Sequence, residues 1–169
     1  DNGLTYSTTF RCVQDYDLWV RAAHHMAFAN VQDVLLRYRT HDSNTGKMLS
    51  AETDANSRIV RTKQIKALGI NPTQDEEKLH DKLSRYDLED SKDFVLSAER
   101  WLKKLLQSNH ERRIYPEAAF RKMLARKWFD ICLLQGKLGW WPWRAFYSSV
   151  LAKDAGLACK EQLYFFITL

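Results

Sequence analysis

Two carboxylates near the start of a short amphipathic segment, Asp15 and Asp17, have the clearest chemical setting in this sequence. The apolar spacing after them predicts a helix that begins near Asp15. A carboxylate in a first helical turn accepts hydrogen bonds from free backbone N–H groups, which fix its direction. The same donors and the helix dipole favour its charged form, so Asp15 is ready to accept a proton at neutral pH. The alternative is that Asp15 or Asp17 only caps the helix.

Two arginines close a second apolar run, residues 34–39. Alternation there predicts a short strand with Leu36 and Tyr38 on one face and Arg37 and Arg39 on the other. Two guanidinium groups on one face suit phosphate or carboxylate groups. Ordinary surface ion pairing is the alternative; it stays open for Arg39 and is favoured for Arg37.

An aromatic residue and two histidines complete the candidates near the predicted helix. Trp19 lies at a core-facing position, so a core anchor is the favoured interpretation, and stacking on a sugar acceptor is the second one. His24 and His25 have no partner residues at metal-ligand spacing. They are therefore weak candidates for a metal site.

These residues belong to two motifs that occur in order. Residues 14–19 read Gln-Asp-Tyr-Asp-Leu-Trp, and residues 35–41 read Leu-Leu-Arg-Tyr-Arg-Thr-His. Together they resemble the end of the catalytic domain of family 2 glycosyltransferases with the GT-A fold. Members of that family typically show an acidic pair before Tyr-Asp-Leu-Trp, and then a strand that ends in Leu-Arg-Tyr-Arg-x-His. The resemblance covers residues 10–48, and the helix end at residues 66–70 is also similar to the region after that strand in such proteins.

The resemblance implies inverting transfer of a sugar from a nucleotide-sugar donor to a glycan or lipid-linked acceptor. Asp15 matches the base that takes the proton of the acceptor hydroxyl. Arg37 and Arg39 are then candidates to reach the diphosphate or an acidic acceptor, with Trp19 as a further substrate contact. The implied cofactor is a divalent metal, Mg²⁺ or Mn²⁺, which neutralises the leaving diphosphate. His41 matches a histidine that often contributes to that metal site.

The sequence departs from the family pattern in two ways. Gln14 replaces the first acid of the pair, which is tolerable if Asp15 is the base but not if that acid orients the substrate. The metal-binding Asp-x-Asp pair and the strand-rich nucleotide-binding half have no counterpart, because the Asp-Tyr-Asp at residues 15–17 lies at a predicted helix start. The resemblance thus implies a C-terminal fragment of a glycosyltransferase. We expect the chain alone neither to bind nor to turn over a sugar nucleotide.

The predicted fold class is mainly α, with two domains. Residues 1–48 predict a short α/β remnant, the C-terminal end of a GT-A catalytic domain, and residues 49–169 predict a helical C-terminal domain that forms a bundle. Gly69 predicts the end of one helix, and Thr73 with Glu76 forms a capping-box pattern at the start of the next. Apolar residues at helical spacing lie over residues 50–68, 79–83, 94–106, 119–132 and 146–151. The predicted anchors of the first run are Ile59, Ile65 and Leu68. The run at 119–132 consists of Ala119, Phe120, Met123, Leu124, Trp128, Ile131 and Cys132.

The charge of the 169-residue chain is concentrated at its end. The net charge is +5, whereas residues 100–169 carry thirteen basic and five acidic side chains, a net charge of +8. A basic end rich in aromatics predicts contact with an anionic membrane, with Arg121, Lys122, Arg126 and Lys127 as the candidate residues. A solvated helical face is the alternative. A nucleic-acid-binding helical module is a rival function, but the sequence holds no helix-turn-helix or RNA-binding motif.

Three cysteines, far apart and odd in number, predict reduced thiols and a cytoplasmic protein, with the inner membrane face as a candidate location. A strand cut from its sheet leaves an exposed edge. We therefore expect the short strand either to fold against the helices or to pair with a second copy in a strand-exchanged homodimer. A purely structural helical adaptor is the third functional class, and it gives Asp15 and His41 no role.

Overall fold

The computed structural model describes residues 4–37, 39 and 50–156, and these form six α-helices and two short 3₁₀ helices. The helices are α1 (Gln14–Ala22), α2 (Ser50–Ala67), α3 (Gln74–Arg85), α4 (Lys92–Arg112), α5 (Glu117–Leu133) and α6 (Trp141–Ser148). The 3₁₀ helices are Gly136–Leu138 and Val150–Asp154. The chain divides into two compact units, Asp1–Gln64 and Ile65–Leu169. The mainly α class and the helical bundle are therefore confirmed.

The second unit has a dense apolar core around α5. Helix α5 packs against α4 on one side and against α6 and the 3₁₀ helix Val150–Asp154 on the other. Trp128 and Phe129 of α5 are almost completely buried, and the ring of Phe129 meets Phe146 edge to face with centroids 5.5 Å apart. The predicted stripe of α4 is confirmed almost entirely; its buried members are Phe94, Val95, Ala98, Trp101, Leu102 and Leu105.

Helix ends in the second unit follow their local sequence signals. After α2, the N–H of Gly69 donates to the carbonyl of Lys66 and that of Ile70 donates to the carbonyl of Ile65, which is a Schellman motif. Gly69 has φ +78°, and a Cβ added there would lie 2.0 Å from the guanidinium carbon of Arg112. The predicted helix stop at Gly69 is confirmed.

The predicted capping box at the start of α3 is also confirmed. The Glu76 N–H donates to Thr73 Oγ1 at 3.2 Å, and the Thr73 N–H donates to Glu76 Oε2 at 2.9 Å. Two backbone donors are thereby satisfied at the first turn of the helix.

The first unit has a much smaller core, in which the segment before α1 and α1 itself pack on α2. Its buried apolar residues are Phe10, Cys12, Ala22 and Val60. Lys63 lies over the ring of Phe10 at 5.0 Å, and Asn56 Nδ2 lies 3.4 Å from Cys12 Sγ. These contacts fix the segment that leads into α1.

The predicted α/β remnant is wrong over the described residues. Residues 34–37 and 39 form no strand, and Val34 exposes 92% of its surface, with Leu35 and Leu36 nearly as open. A strand needs a neighbour for its backbone N–H and C=O groups and an apolar face to cover its alternating side chains. The described part of this unit offers neither, so the segment does not fold against the helices. Pairing with a second copy stays a prediction.

Other predictions fail at single positions or lie outside the described residues. Ile59, a predicted anchor of α2, is exposed, and its neighbour Val60 is buried in its place. Met123 of the predicted α5 stripe is exposed as well. The predicted domain boundary at residues 48 and 49 lies outside the described residues. Within those residues, no helix combines enough length and apolar character to cross a bilayer.

Candidate functional site

Asp15 lies in the exposed first turn of α1, and its carboxylate is held by a backbone donor. The Tyr16 N–H donates to Asp15 Oδ1 at 2.8 Å. The N-cap of the helix is Val13, which adopts a left-handed conformation with φ 65° and gives no side-chain cap. A β-branched residue in that conformation costs about 1–3 kcal/mol, so the entry into α1 is strained. Asp15 is therefore not the N-cap, and its second oxygen remains available to a ligand.

Asp17 has a different environment, although it lies only two residues further on. It is 4% exposed and pairs with Arg21 at 2.9 Å and with Lys63 at 3.7 Å. Arg21 also donates from Nη2 to the Thr5 carbonyl at 2.7 Å. These contacts tie α1 to α2 and to the preceding segment, so Asp17 has a structural role.

Gln14 makes a contact that an ionised acid at the same position does not make. Its Nε2 donates to the carbonyl of Arg11 at 2.7 Å. A carboxylate has no proton to donate and is repelled by a carbonyl oxygen. The amide at this position thus stabilises the turn that precedes Asp15.

Trp19 lies on the exposed face of α1, one turn from Asp15. The indole is 57% exposed, so the core-anchor interpretation is wrong. Residues four apart on a helix are neighbours, with Cβ atoms about 5–6 Å apart. A carboxylate beside an open aromatic face can accept a proton from a hydroxyl whose ring stacks on the indole.

The other predicted residues lie in or beyond the segment after α1. Arg37 and Arg39 are both exposed, whereas His41 lies outside the described residues. The described residues contain no group of three or more His, Cys, Asp or Glu side chains able to hold a metal ion. Asp15 and Asp17 also point into different surroundings. The described residues thus do not fit a divalent metal by themselves.

The second unit has a cleft of about 570 Å³ between α3 and α4 that sequence reasoning missed. Trp101 at its base donates from Nε1 to His80 Nδ1 at 3.0 Å, and Lys104 at its rim pairs with Glu76 at 2.6 Å. Burial raises the pKa of Glu76, but the hydrogen bonds from Lys104 and Thr73 outweigh it, so that pKa lies below its ordinary value. The polar groups of Trp101, Lys104 and Glu76 thus have partners within the second unit. The sequence marked Glu76 as part of the capping box, but no motif indicated a cleft.

The arrangement with the clearest chemical use is therefore the exposed face of α1 with Asp15 and Trp19. Two local hydrogen bonds support this face: Arg21 donates to Asp17, and Gln14 donates to the Arg11 carbonyl. No protein-family model, curated protein or solved structure matches this chain.

Proposed function

We propose that this chain is the C-terminal part of a family 2 glycosyltransferase, which transfers a sugar from a nucleotide-sugar donor to a glycan or lipid-linked acceptor. The observation that carries the proposal is that Asp15 and Trp19 lie one turn apart on the same exposed face of α1. Support also comes from the two ordered motifs that resemble the end of the GT-A catalytic domain. Asp15 is the base and Trp19 is the acceptor contact.

The reaction is an inverting displacement in which the charges balance. The acceptor hydroxyl oxygen forms a bond to the anomeric carbon, the bond to the nucleoside diphosphate breaks, and the hydroxyl proton passes to Asp15. The Tyr16 N–H engages Oδ1 of that carboxylate, which leaves Oδ2 as the proton acceptor. Trp19 orients the acceptor ring by stacking on its apolar face.

Exposed apolar side chains after α1 support the idea that this region packs on more protein. Phe28, Val31, Val34, Leu35 and Leu36 are all largely exposed. Contiguous exposed apolar surface of this kind marks an interaction site. In the proposed enzyme, this surface packs on the strand-rich, nucleotide-binding half of the catalytic domain.

The chain's own arginines contact the substrates in this proposal. Arg37 and Arg39, both exposed, reach the leaving diphosphate or an acidic acceptor, because guanidinium groups bind phosphate and carboxylate groups. The divalent metal, Mg²⁺ or Mn²⁺, has its ligands outside the described residues, with His41 among the candidates. When bound, it neutralises the diphosphate.

The test is Asp15→Asn in the protein encoded by the whole gene, assayed for glycosyl transfer. Asparagine keeps an oxygen for the Tyr16 N–H but accepts no proton, so we expect kcat to fall by about 10²- to 10⁴-fold with little change in stability. Asp75→Asn, at an exposed acid in the first turn of α3, is the matched control and should retain full activity.

Three results would contradict the proposal. One is full transfer activity in the Asp15→Asn protein, which is what a structural adaptor predicts. Another is measurable hydrolysis of UDP-sugars by the 169-residue chain alone. The third is a coding sequence upstream of Asp1 that holds neither a strand-rich region nor an Asp-x-Asp pair.

A further inference from the structure

The basic side chains that the sequence favours for membrane contact are engaged inside the second unit. Arg121 donates to Asp154 from Nε at 3.0 Å and from Nη2 at 2.8 Å, and Arg126 pairs with Asp130 at 3.1 Å. Lys127 is half-buried; it donates to the Leu83 carbonyl and lies 3.5 Å from the centre of the Tyr86 ring. These contacts neutralise or bury most of the predicted patch.

A different surface, around α6, combines exposed aromatic and basic side chains. Trp140, Trp143 and Tyr147 form a continuous row, with ring centroids 6.4 Å apart for the first pair and 5.0 Å apart for the second. Trp140 is 52% exposed and Tyr147 almost as open. Arg144 is exposed one turn from Trp140 and on the same face. We call these four residues the α6 row.

The opposite face of α6 anchors this row in the core. Pro142 and Phe146 are almost completely buried, and Phe146 packs on Phe129 of α5. The aromatic side chains of the α6 row are thus presented by a helix whose position the core fixes. The ring of Tyr147 also meets that of Phe146 edge to face, with centroids 5.0 Å apart, so a substitution at Tyr147 removes one contact to the buried side of the helix.

The charge around the α6 row is positive. Between Asp130 and Asp154 the sequence contains Lys137, Arg144 and Lys153 and no acidic residue. The flanking Asp154 already pairs with Arg121, whereas Lys137 contacts Asp90 at 2.5 Å. Arg144 and Lys153, both exposed, therefore contribute most of the local positive charge.

We propose that the α6 row is a docking surface for an anionic membrane. Trp and Tyr side chains favour the headgroup region of a bilayer, because their apolar rings and polar tips suit that boundary. Basic residues beside them are attracted to anionic lipid, and the attraction weakens as salt screens it. The combination suits a lipid surface better than nucleic acid, because surfaces that bind nucleic acid carry more basic side chains. The proposal does not depend on the glycosyltransferase activity.

The test is cosedimentation of the chain with vesicles of phosphatidylcholine alone or with phosphatidylglycerol added, at low and high salt. We expect binding to the phosphatidylglycerol vesicles, a blue shift of tryptophan fluorescence, and weaker binding at high salt. The double variant Trp140→Ala, Tyr147→Ala should bind at least tenfold more weakly. Arg144→Glu removes an attraction and adds a repulsion, so it should weaken binding about tenfold or more.

Two matched variants separate this surface from others. Trp19→Ala removes an exposed tryptophan from the first unit and should leave vesicle binding unchanged. Lys122→Glu reverses an exposed charge of the originally predicted patch, and it should weaken binding less than Arg144→Glu does.

The proposal is overturned if the wild-type chain does not bind phosphatidylglycerol vesicles at low salt. It is equally overturned if the double variant, with an unchanged circular dichroism spectrum, binds as tightly as wild type. Salt-dependent binding to single-stranded DNA that Arg144→Glu abolishes, with no vesicle binding, would assign the surface to nucleic acid instead.

Discussion

The two units of the chain differ strongly in the size of their apolar cores and in their share of the proposed chemistry. Among the described residues, the second unit buries an apolar core of twenty residues, while the first buries Phe10, Cys12, Ala22 and Val60. The first unit nevertheless carries both family-like motifs and exposes a run of apolar side chains after α1. A region that keeps so much apolar surface open gains little stability from its own core. The helical unit depends on its own packing, whereas the exposed apolar surface of the motif-bearing unit is what the proposed function assigns to packing against further protein.

The largest expected effect is a difference between identical substitutions in the two units. Leu124→Ala empties a fully buried site in α5, so the free energy of unfolding should fall by about 2–5 kcal/mol. Leu35→Ala removes an exposed side chain and should change that free energy by no more than about 0.5 kcal/mol. Urea denaturation followed by circular dichroism measures both. Equal costs would mean that residues near Leu35 are packed and that the comparison fails.

The next largest expected effect is a difference in stability between variants of the two carboxylates of α1. Asp17→Asn removes the buried charge that pairs with Arg21 and Lys63, so the free energy of unfolding should fall by about 1.5–3 kcal/mol. Asp15→Asn keeps its bond from the Tyr16 N–H and should cost much less. Thermal denaturation of the two variants decides between them. A loss from Asp15→Asn as large as that from Asp17→Asn would give Asp15 a structural role.

The smallest effect is a pH response confined to the second unit. Burial, with a hydrogen bond to Asp130 at 2.9 Å, raises the pKa of Tyr86 to about 12. In the unfolded chain this tyrosine ionises near its ordinary value of 10.0, before the folded protein does. Its contribution to stability is therefore complete below pH 10 and declines as the pH rises from 10 towards 12.

The absorbance of tyrosinate measures this directly. The difference between wild type and Tyr86→Phe should show a component that titrates near pH 12. A component near pH 10 would mean that the Tyr86 hydroxyl is neither buried nor bonded to Asp130 as in this structure. The first unit offers no equivalent tertiary link between a tyrosine hydroxyl and a carboxylate among its described residues.

Local signals were sufficient for the end of α2 and the start of α3. Gly69 stops α2, and Thr73 with Glu76 opens α3, because each motif is completed by backbone groups only a few residues away. The buried stripe of α4 was also predictable from the sequence, since one side of that helix packs on the core. At the two helix ends, both partners of each hydrogen bond lie only a few residues apart along the chain.

Burial and strand formation depend on residues far away in the sequence, so local patterns could not predict them. The stripe of α5 missed Ala125 and Phe129, because α5 packs between α4 and α6 and buries more of its circumference than a single stripe. The prediction for the α1 face is wrong for a similar reason: Trp19 has a core-like position in the sequence, yet the described residues of the first unit leave 57% of it exposed. Alternation in residues 34–39 suits a strand, but a strand also needs a neighbour.

The way α2 ends determines where the helical part can be cut from the rest of the chain. The hydrogen bonds that close the helix run from Gly69 and Ile70 back to the carbonyls of Lys66 and Ile65, and Ile65 is itself part of the second core. An excised helical domain that began at Gly69 would leave both donors without acceptors and would lose two core side chains, those of Ile65 and Leu68. Its first residue should therefore lie well before Ile65, within α2, so that the final turn of that helix is included whole.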